Sequence, residues 1–146
     1  DVNVARVKAL AADLGADVAD TQGILAMDGD VLSPNALGAV LSEQSIEALK
    51  VKIVAGAANN QLATAQDGQR LHDRGIIFAP DYVINAGGII NVGLEYLGRA
   101  SREEVETRIG QIPDRLKQIW AKSQESGVPA SQVADQMAQA LIGRSA

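Results

Sequence analysis

Three short runs constrain this chain more than any other feature: Asp30-Val31-Leu32-Ser33, Lys52-Ile53-Val54-Ala55-Gly56 and Ile76-Ile77-Phe78. Each is brief and apolar at its centre. The middle one, β-branched and bounded by small residues, reads as a fully buried strand. Helical signals lie between them: Ser45 to Leu49, then Leu62 to Arg74 with Gly75 behind it as a stop. Strands alternating with helices predict an α/β layer fold with a mainly parallel sheet. In such sheets ligands bind beyond the carboxyl ends of the strands. Three unusual loops follow strand ends here: Ser33-Pro34-Asn35-Ala36-Leu37-Gly38, Gly56-Ala57-Ala58-Asn59-Asn60, and Asn85-Ala86-Gly87-Gly88. A parallel sheet predicts that they meet on one edge.

The flanking segments are read the same way. Val4, Val7, Leu10 and Leu14 form one face of a helix between Val2 and Leu14, with Gly15 ending it and Asp1 placed to cap it. Ala16 to Ala19 reads as a short strand, and Thr21 to Leu25 as a brief helix. Leu37, Val40 and Leu41 predict a short helix over the sheet, and Tyr82-Val83-Ile84 a short strand continuing Ile76 to Phe78. From Asn85 onward the chain reads as helical. Ser101 and Glu104 have capping-box spacing. Val105, Ile109, Ile112, Leu116 and Ile119 form an apolar stripe that Pro113 should kink or divide. Pro129 opens a last helix with Val133, Met137 and Leu141 on its apolar face. The expected division is 1–98 and 99–146, with the second part packing on a further domain or a partner subunit. Asp1 stands at what reads as a strand end, so the chain is expected to be a piece of a longer protein.

Composition removes several function classes. Of 146 residues, 3% are aromatic, so the core must be built from Ala, Val, Ile and Leu. The net charge is −5, and no Lys or Arg run offers a nucleic-acid surface. Without cysteine there is no disulfide, thiolate metal site or Cys nucleophile, and the lone His72 reads as a solvated helix residue rather than a ligand. No metal is expected. No apolar stretch approaches the ~20 residues of a membrane span, and no signal peptide is seen, so the expected location is cytoplasmic.

The chemistry-bearing residues are amides and glycines. A single Asn after a strand is usually a turn or cap residue. Asn59 and Asn60 are adjacent and are followed by Gln61. A carboxamide donates and accepts at once, so it can grip another carboxamide or an amino-acid head group. Gly87 and Gly88 fall where a helix begins, although glycine there costs up to ~1 kcal/mol against Ala; room for a close ligand is a reason to keep them.

Taken together, Ser33 to Gly38, Val54 to Leu62 and Ala79 to Gly88 strongly resemble the glutamate/leucine/phenylalanine/valine dehydrogenase family, from Asp1 to at least Gly98. The order and spacing of three long motifs carry the resemblance. It implies a partial Rossmann-type, doubly wound, mainly parallel sheet followed by long C-terminal helices. It also implies oxidative deamination of an L-amino acid to a 2-oxo acid, with hydride passing to NAD. Asp1 would bind the adenosine ribose and disfavour a 2′-phosphate, with Val2 beside the adenine. Ala36 and Leu37 would face the cofactor's ribose and pyrophosphate, and Ala58, Asn59, Asn60 and Asn85 the nicotinamide. Asn60, Gly88, Ile89 and Val92 would meet the substrate. Glutamate-specific members place a hydroxyl where Val92 stands, and a carboxylate buried against Val92 and Ile89 would be costly, so an apolar amino acid such as leucine, valine or phenylalanine is expected. The family often has Cys at the place of Asn35 and Gly at that of Ala39. Its catalytic lysine and aspartate come from an N-terminal domain outside this chain, so the chain alone is expected to be inactive. A homo-oligomer is expected for the intact protein. The competing reading is a truncated, non-catalytic nucleotide-binding or assembly module.

Overall fold

The three runs pair in the order β1-β2-β3, all parallel, with β1 at Val31–Leu32, β2 at Ile53–Val54 and β3 at Ile77–Phe78. The computed structural model describes residues 1–99 and 101–143; Ala100 and residues 144–146 of the expected second part lie outside the described residues. Parallel neighbours need crossovers. They are supplied by α2 (Glu43–Ala48) between β1 and β2 and by α3 (Ala65–Asp73) between β2 and β3. α2 starts on a reciprocal capping box, Ser42 with Ser45, and at the start of α3 the Asp67 carboxylate accepts from the Thr64 N–H and hydroxyl.

Because successive strand residues face opposite ways, the register decides what each side of the sheet must bury. Leu32, Val54 and Phe78 are aligned across the strands. They pack with Leu41, Ile46, Leu49, Leu71 and Ile76 beneath α2 and α3. Ala55 and Ala79, the next residues along, belong to a second cluster with Val83, Leu116, Ile119, Val133 and Ala134. That cluster is built by α4 (Asp81–Ile84), α7 (Ile112–Ser126) and α8 (Ala130–Leu141). The small alanines let these helices approach closely. Helices therefore cover both faces, the doubly wound arrangement. α7 and α8 contact each other, and Trp120 of α7 donates its indole N–H to the Phe78 carbonyl at 2.8 Å.

The stripe around Pro113 is divided, as its ring requires. α6 (Arg102–Ile109) ends first, and α7 begins with Pro113 in its first turn, where a missing N–H costs nothing. Ser101 caps α6 through the Glu104 N–H. α5 (Gly87–Tyr96) carries the glycine pair in its first turn.

Four local expectations are corrected. Asn3, not Asp1, caps α1 (Val4–Leu14), its Oδ1 accepting from the Arg6 N–H, while the Asp1 carboxylate accepts from the Asn3 N–H. Residues 16–19 form no strand, since no neighbouring segment offers them a ladder. Leu37 to Leu41 is a bent segment rather than a helix. Ala39 sits at φ 55, outside the right-handed helix, and Leu41 bridges Leu62 in parallel, donating to Gln61 O and accepting from Ala63 N. Tyr82-Val83-Ile84 is the helical turn α4 rather than a strand, because Pro80 and Asp81 start a helix and the Pro80 carbonyl accepts from Val83 and Ile84. The brief helix near Thr21 is a 3₁₀ turn at Ile24–Ala26. Asp20 precedes it and accepts the Gly23 and Gln22 N–H groups, which hold its carboxyl below the ordinary carboxylate range.

Candidate functional site: three loops at the carboxyl edge of the sheet

The loops after β1 and β2 and the turn α4 after β3 converge at one edge, as the parallel topology requires. The first two are locked backbone to backbone. Ala58 donates to Pro34 O at 2.9 Å, and Ala39 to Asn60 O at 2.7 Å. Gly56 and Gly38 make this approach possible: a Cβ at Gly56 would collide with the Pro34 backbone, and one at Gly38 would lie 2.8 Å from Asn59 O. Asn35 adds a side-chain crossbar. Its Oδ1 accepts the Ala57 N–H at 2.9 Å, and its Nδ2 donates to Ser33 O and Oγ.

Within the second loop the fully buried Gln61 ties down two carbonyls, donating from Nε2 to Gly56 O at 2.6 Å and Ala58 O at 3.0 Å. Its Oε1 has no partner among the described residues. Asn60 adopts a left-handed backbone, φ 53, and its N–H donates to Asp81 Oδ2 at 2.7 Å.

The rim itself is a pair of amides. Asn85 Nδ2 donates to Asn59 Oδ1 at 2.6 Å and to Ala57 O at 3.2 Å. Because a backbone carbonyl can only accept, the second bond fixes which Asn85 atom is nitrogen, and the first then fixes the Asn59 amide. Asn59 Nδ2 and Asn85 Oδ1 have no partner among the described residues. They leave a donor NH2 on one amide and an acceptor oxygen on the other, the group types that pair with a primary carboxamide.

The remaining sequence-derived positions separate into groups. Ala36 and the three-quarters-exposed Leu37 stand on the first loop, and Gly88 lies in the first turn of α5 with nothing near where a Cβ would project. Ile89 and Val92 are exposed together on α5, one turn apart. Ala58 is buried with its N–H and carbonyl both engaged inside the chain, so it supports the rim from beneath. Asp1 and Val2 are exposed ahead of α1. Sequence reasoning missed Asp81 and Gln61: an acid after proline looks like an ordinary helix start, and nothing in the spacing says that Asp81 reaches Asn60. A separate apolar cleft of about 350 Å³ lies between α4–α5 and α7–α8, lined by Val83, Ile90, Ile112 and Met137 among others. The amide rim takes no part in it. Tyr82 borders it, its hydroxyl between Asp135 Oδ1 at 2.6 Å and Ser131 O at 3.0 Å. Burial first, then the bond to Asp135, raises its ionisation above that of a free tyrosine.

Comparison with known proteins decides the family. The family model described as glutamate/leucine/phenylalanine/valine dehydrogenase matches residues 2–144. The chain belongs to this dehydrogenase family. It is 40% identical over 144 residues to leucine dehydrogenase of Bacillus subtilis (strain 168), covering 99% of this chain and 39% of that protein. It is 41% identical over 123 residues to valine dehydrogenase of Streptomyces virginiae, covering 84% of this chain and 34% of that protein. Among solved structures, L-tryptophan dehydrogenase from Nostoc punctiforme superposes with a TM-score of 0.92 at 38% identity, over 98% of this chain and 43% of that one. The relatives are amino-acid dehydrogenases, and the chain spans about two fifths of their length. The two departures from the family pattern have physical readings. Ala39 occupies a left-handed conformation that glycine would adopt without strain, and Asn35 makes two hydrogen bonds within its own loop and one across to Ala57.

Proposed function

We propose that this chain is the nucleotide-binding part of an NAD-dependent dehydrogenase that converts an apolar L-amino acid to its 2-oxo acid. The paired amides of Asn59 and Asn85 at the carboxyl edge of a parallel sheet carry the reading. The free donor and acceptor they leave match the carboxamide of a nicotinamide. When bound, the nicotinamide supplies the hydride acceptor. The rest is done by the chain's own residues: Asn59 and Asn85 orient the ring through its amide, Asn60 reaches the cofactor and the amino-acid head group, and Ala36 and Leu37 flank the ribose and pyrophosphate. Asp1 holds the adenosine ribose hydroxyls, with Val2 beside the adenine. Overall, an amino acid, NAD⁺ and water give a 2-oxo acid, ammonium, NADH and a proton.

The apolar pair Ile89 and Val92 sets the substrate class, since neither can hydrogen-bond a side-chain carboxylate. Relatives of nearly equal identity are named for leucine, valine and tryptophan, so overall identity does not choose among apolar side chains. The acid–base groups belong to the remainder of the relatives' length, and the chain alone does not catalyse. The exposed apolar face of α1 and the exposed end of α8 at Leu141 and Ile142 fit coverage by such a further domain, or by a second subunit of a homo-oligomer. Among the described residues no helix is long and apolar enough to cross a membrane. A cytoplasmic enzyme of amino-acid metabolism is the matching setting.

The test is an NADH-formation assay on the full-length polypeptide containing this chain, with leucine, valine, phenylalanine and glutamate and with either NAD⁺ or NADP⁺. An apolar substrate with NAD⁺ is expected to be best. Preference for glutamate would overturn the reading of Val92, and preference for NADP⁺ that of Asp1. Turnover by the isolated 146-residue chain at a rate near that of intact relatives would overturn the division of labour.

A further inference from the structure

We infer that Asp81 is a positioning residue of this site: its buried carboxylate clamps the backbone of Asn60 and so sets the direction of the Asn60 side chain. The inference rests on the proposed role of Asn60 at the cofactor and substrate. Three observations combine. Asp81 is 8% exposed and has no ion-pair partner among the described residues. Its side chain accepts from the Asn60 N–H, 21 residues away in sequence, at 2.7 Å, the length of a charge-assisted bond. Asn60 holds a left-handed φ of 53, which is costly for most residues and tolerable for Asn.

An asparagine can sit in either the right- or left-handed well, and the two send its side chain in different directions. Here the left-handed well is imposed from both sides. The N–H is drawn down by Asp81, and the carbonyl is taken by the Ala39 N–H at 2.7 Å. Ala39 is itself left-handed, so the two strained residues brace each other. Asp81 stands in the first turn of α4, where a negative charge is favoured, and the side-chain bond it accepts comes from Asn60. Asn60 is exposed, so its N–H would find water if Asp81 were removed. The fold therefore tolerates the loss better than the geometry does.

The experiment uses the full-length polypeptide with Asp81→Ala, the isosteric Asp81→Asn, Asn60→Ala and the double variant Asp81→Ala/Asn60→Ala. Equilibrium NAD⁺ affinity is measured by calorimetry, and the melting temperature without ligand is measured alongside. Asp81→Ala should weaken NAD⁺ binding by about tenfold, the usual consequence of losing a bond to a charged group. Asp81→Asn, which keeps an acceptor oxygen, should lose less. The double variant should bind no more weakly than Asn60→Ala alone, because Asp81 acts through that residue. The proposal is overturned if the two losses multiply, if both Asp81 variants bind like wild type, or if lost affinity only tracks a lost folded fraction. If Asp81→Ala does not fold, the Asp81→Asn comparison decides. Absence of NAD⁺ binding by the wild type would instead sink the functional reading, and this inference with it.

Discussion

α1 and α3 are built to one local plan and end in opposite situations. Each starts on a side-chain cap, Asn3 in one and Thr64 with Asp67 in the other. Each is followed by a left-handed glycine, Gly15 at φ 63 and Gly75 at φ 67. α1 carries the fuller apolar stripe, whereas α3 is mostly polar with Leu71 as its one large apolar residue. Yet α3 buries Asp67, Gly68 and Leu71, whereas no residue of α1 is buried and Val4, Leu10 and Leu14 are all more than half exposed. The contrast teaches that caps and periodicity specify a helix and its apolar side, while burial depends on whether the chain brings something to cover it.

Substitutions can break that comparison, and the largest effect is expected in the covered helix. Leu71→Ala, at 0% exposure in the first cluster, should cost about 2–5 kcal/mol of stability in urea unfolding. Asp67→Ala comes next. It removes acceptors for the Thr64 N–H and hydroxyl, each at 2.8 Å, and for Arg70 at 3.1 Å. A loss of about 1–2 kcal/mol is expected in the same measurement, against no more than about 1 kcal/mol for Asn3→Ala in α1.

Tyr82→Phe tests the tie between α4 and α8 and should cost about 1 kcal/mol at neutral pH. Its pH dependence has a definite sign. The folded state raises the Tyr82 pKa above the ordinary 10.0, so the native state holds the proton more tightly than the unfolded chain. The contribution is complete below that value and is lost as pH rises beyond it. Melting temperatures of wild type and Tyr82→Phe should therefore converge on the alkaline side; a constant gap would refute the assignment. Ala39→Gly should stabilise by up to about 1 kcal/mol by relieving the left-handed backbone, net of glycine's greater freedom when unfolded. The smallest effect belongs to the uncovered helix: Leu10→Ala should move the isolated chain by less than about 0.5 kcal/mol. A larger loss would mean that α1 is covered after all.

Much of the site is legible in the residues alone. The strand cores, the carboxyl-edge loops and the glycine pair follow from short β-branched runs ending on Asn, Gly and Pro, and the order of three motifs brings the family with them. Asn59 and Asn85 are legible as residues but not as a pair, because 26 positions separate them. Tyr82 to Ile84 misleads because β-branched and aromatic residues favour strands, whereas the Pro80–Asp81 start and the absence of a ladder partner favour a helical turn.

By itself the sequence determined the three strand cores, the longer helices and the residue types placed at the sheet's edge, since these depend on neighbours within a few positions. Only the tertiary structure decided which faces are covered. Val31, Ile53 and Ile77 form one row across the sheet, and Leu32, Val54 and Phe78 the next. The two rows are equally apolar, yet Val31 and Ile77 are about half exposed while Val54 and Phe78 are buried. Tertiary structure likewise decided that Asp81 turns inward to hold Asn60. Both outcomes depend on groups far apart in the chain meeting in space, and a periodic pattern carries no record of that.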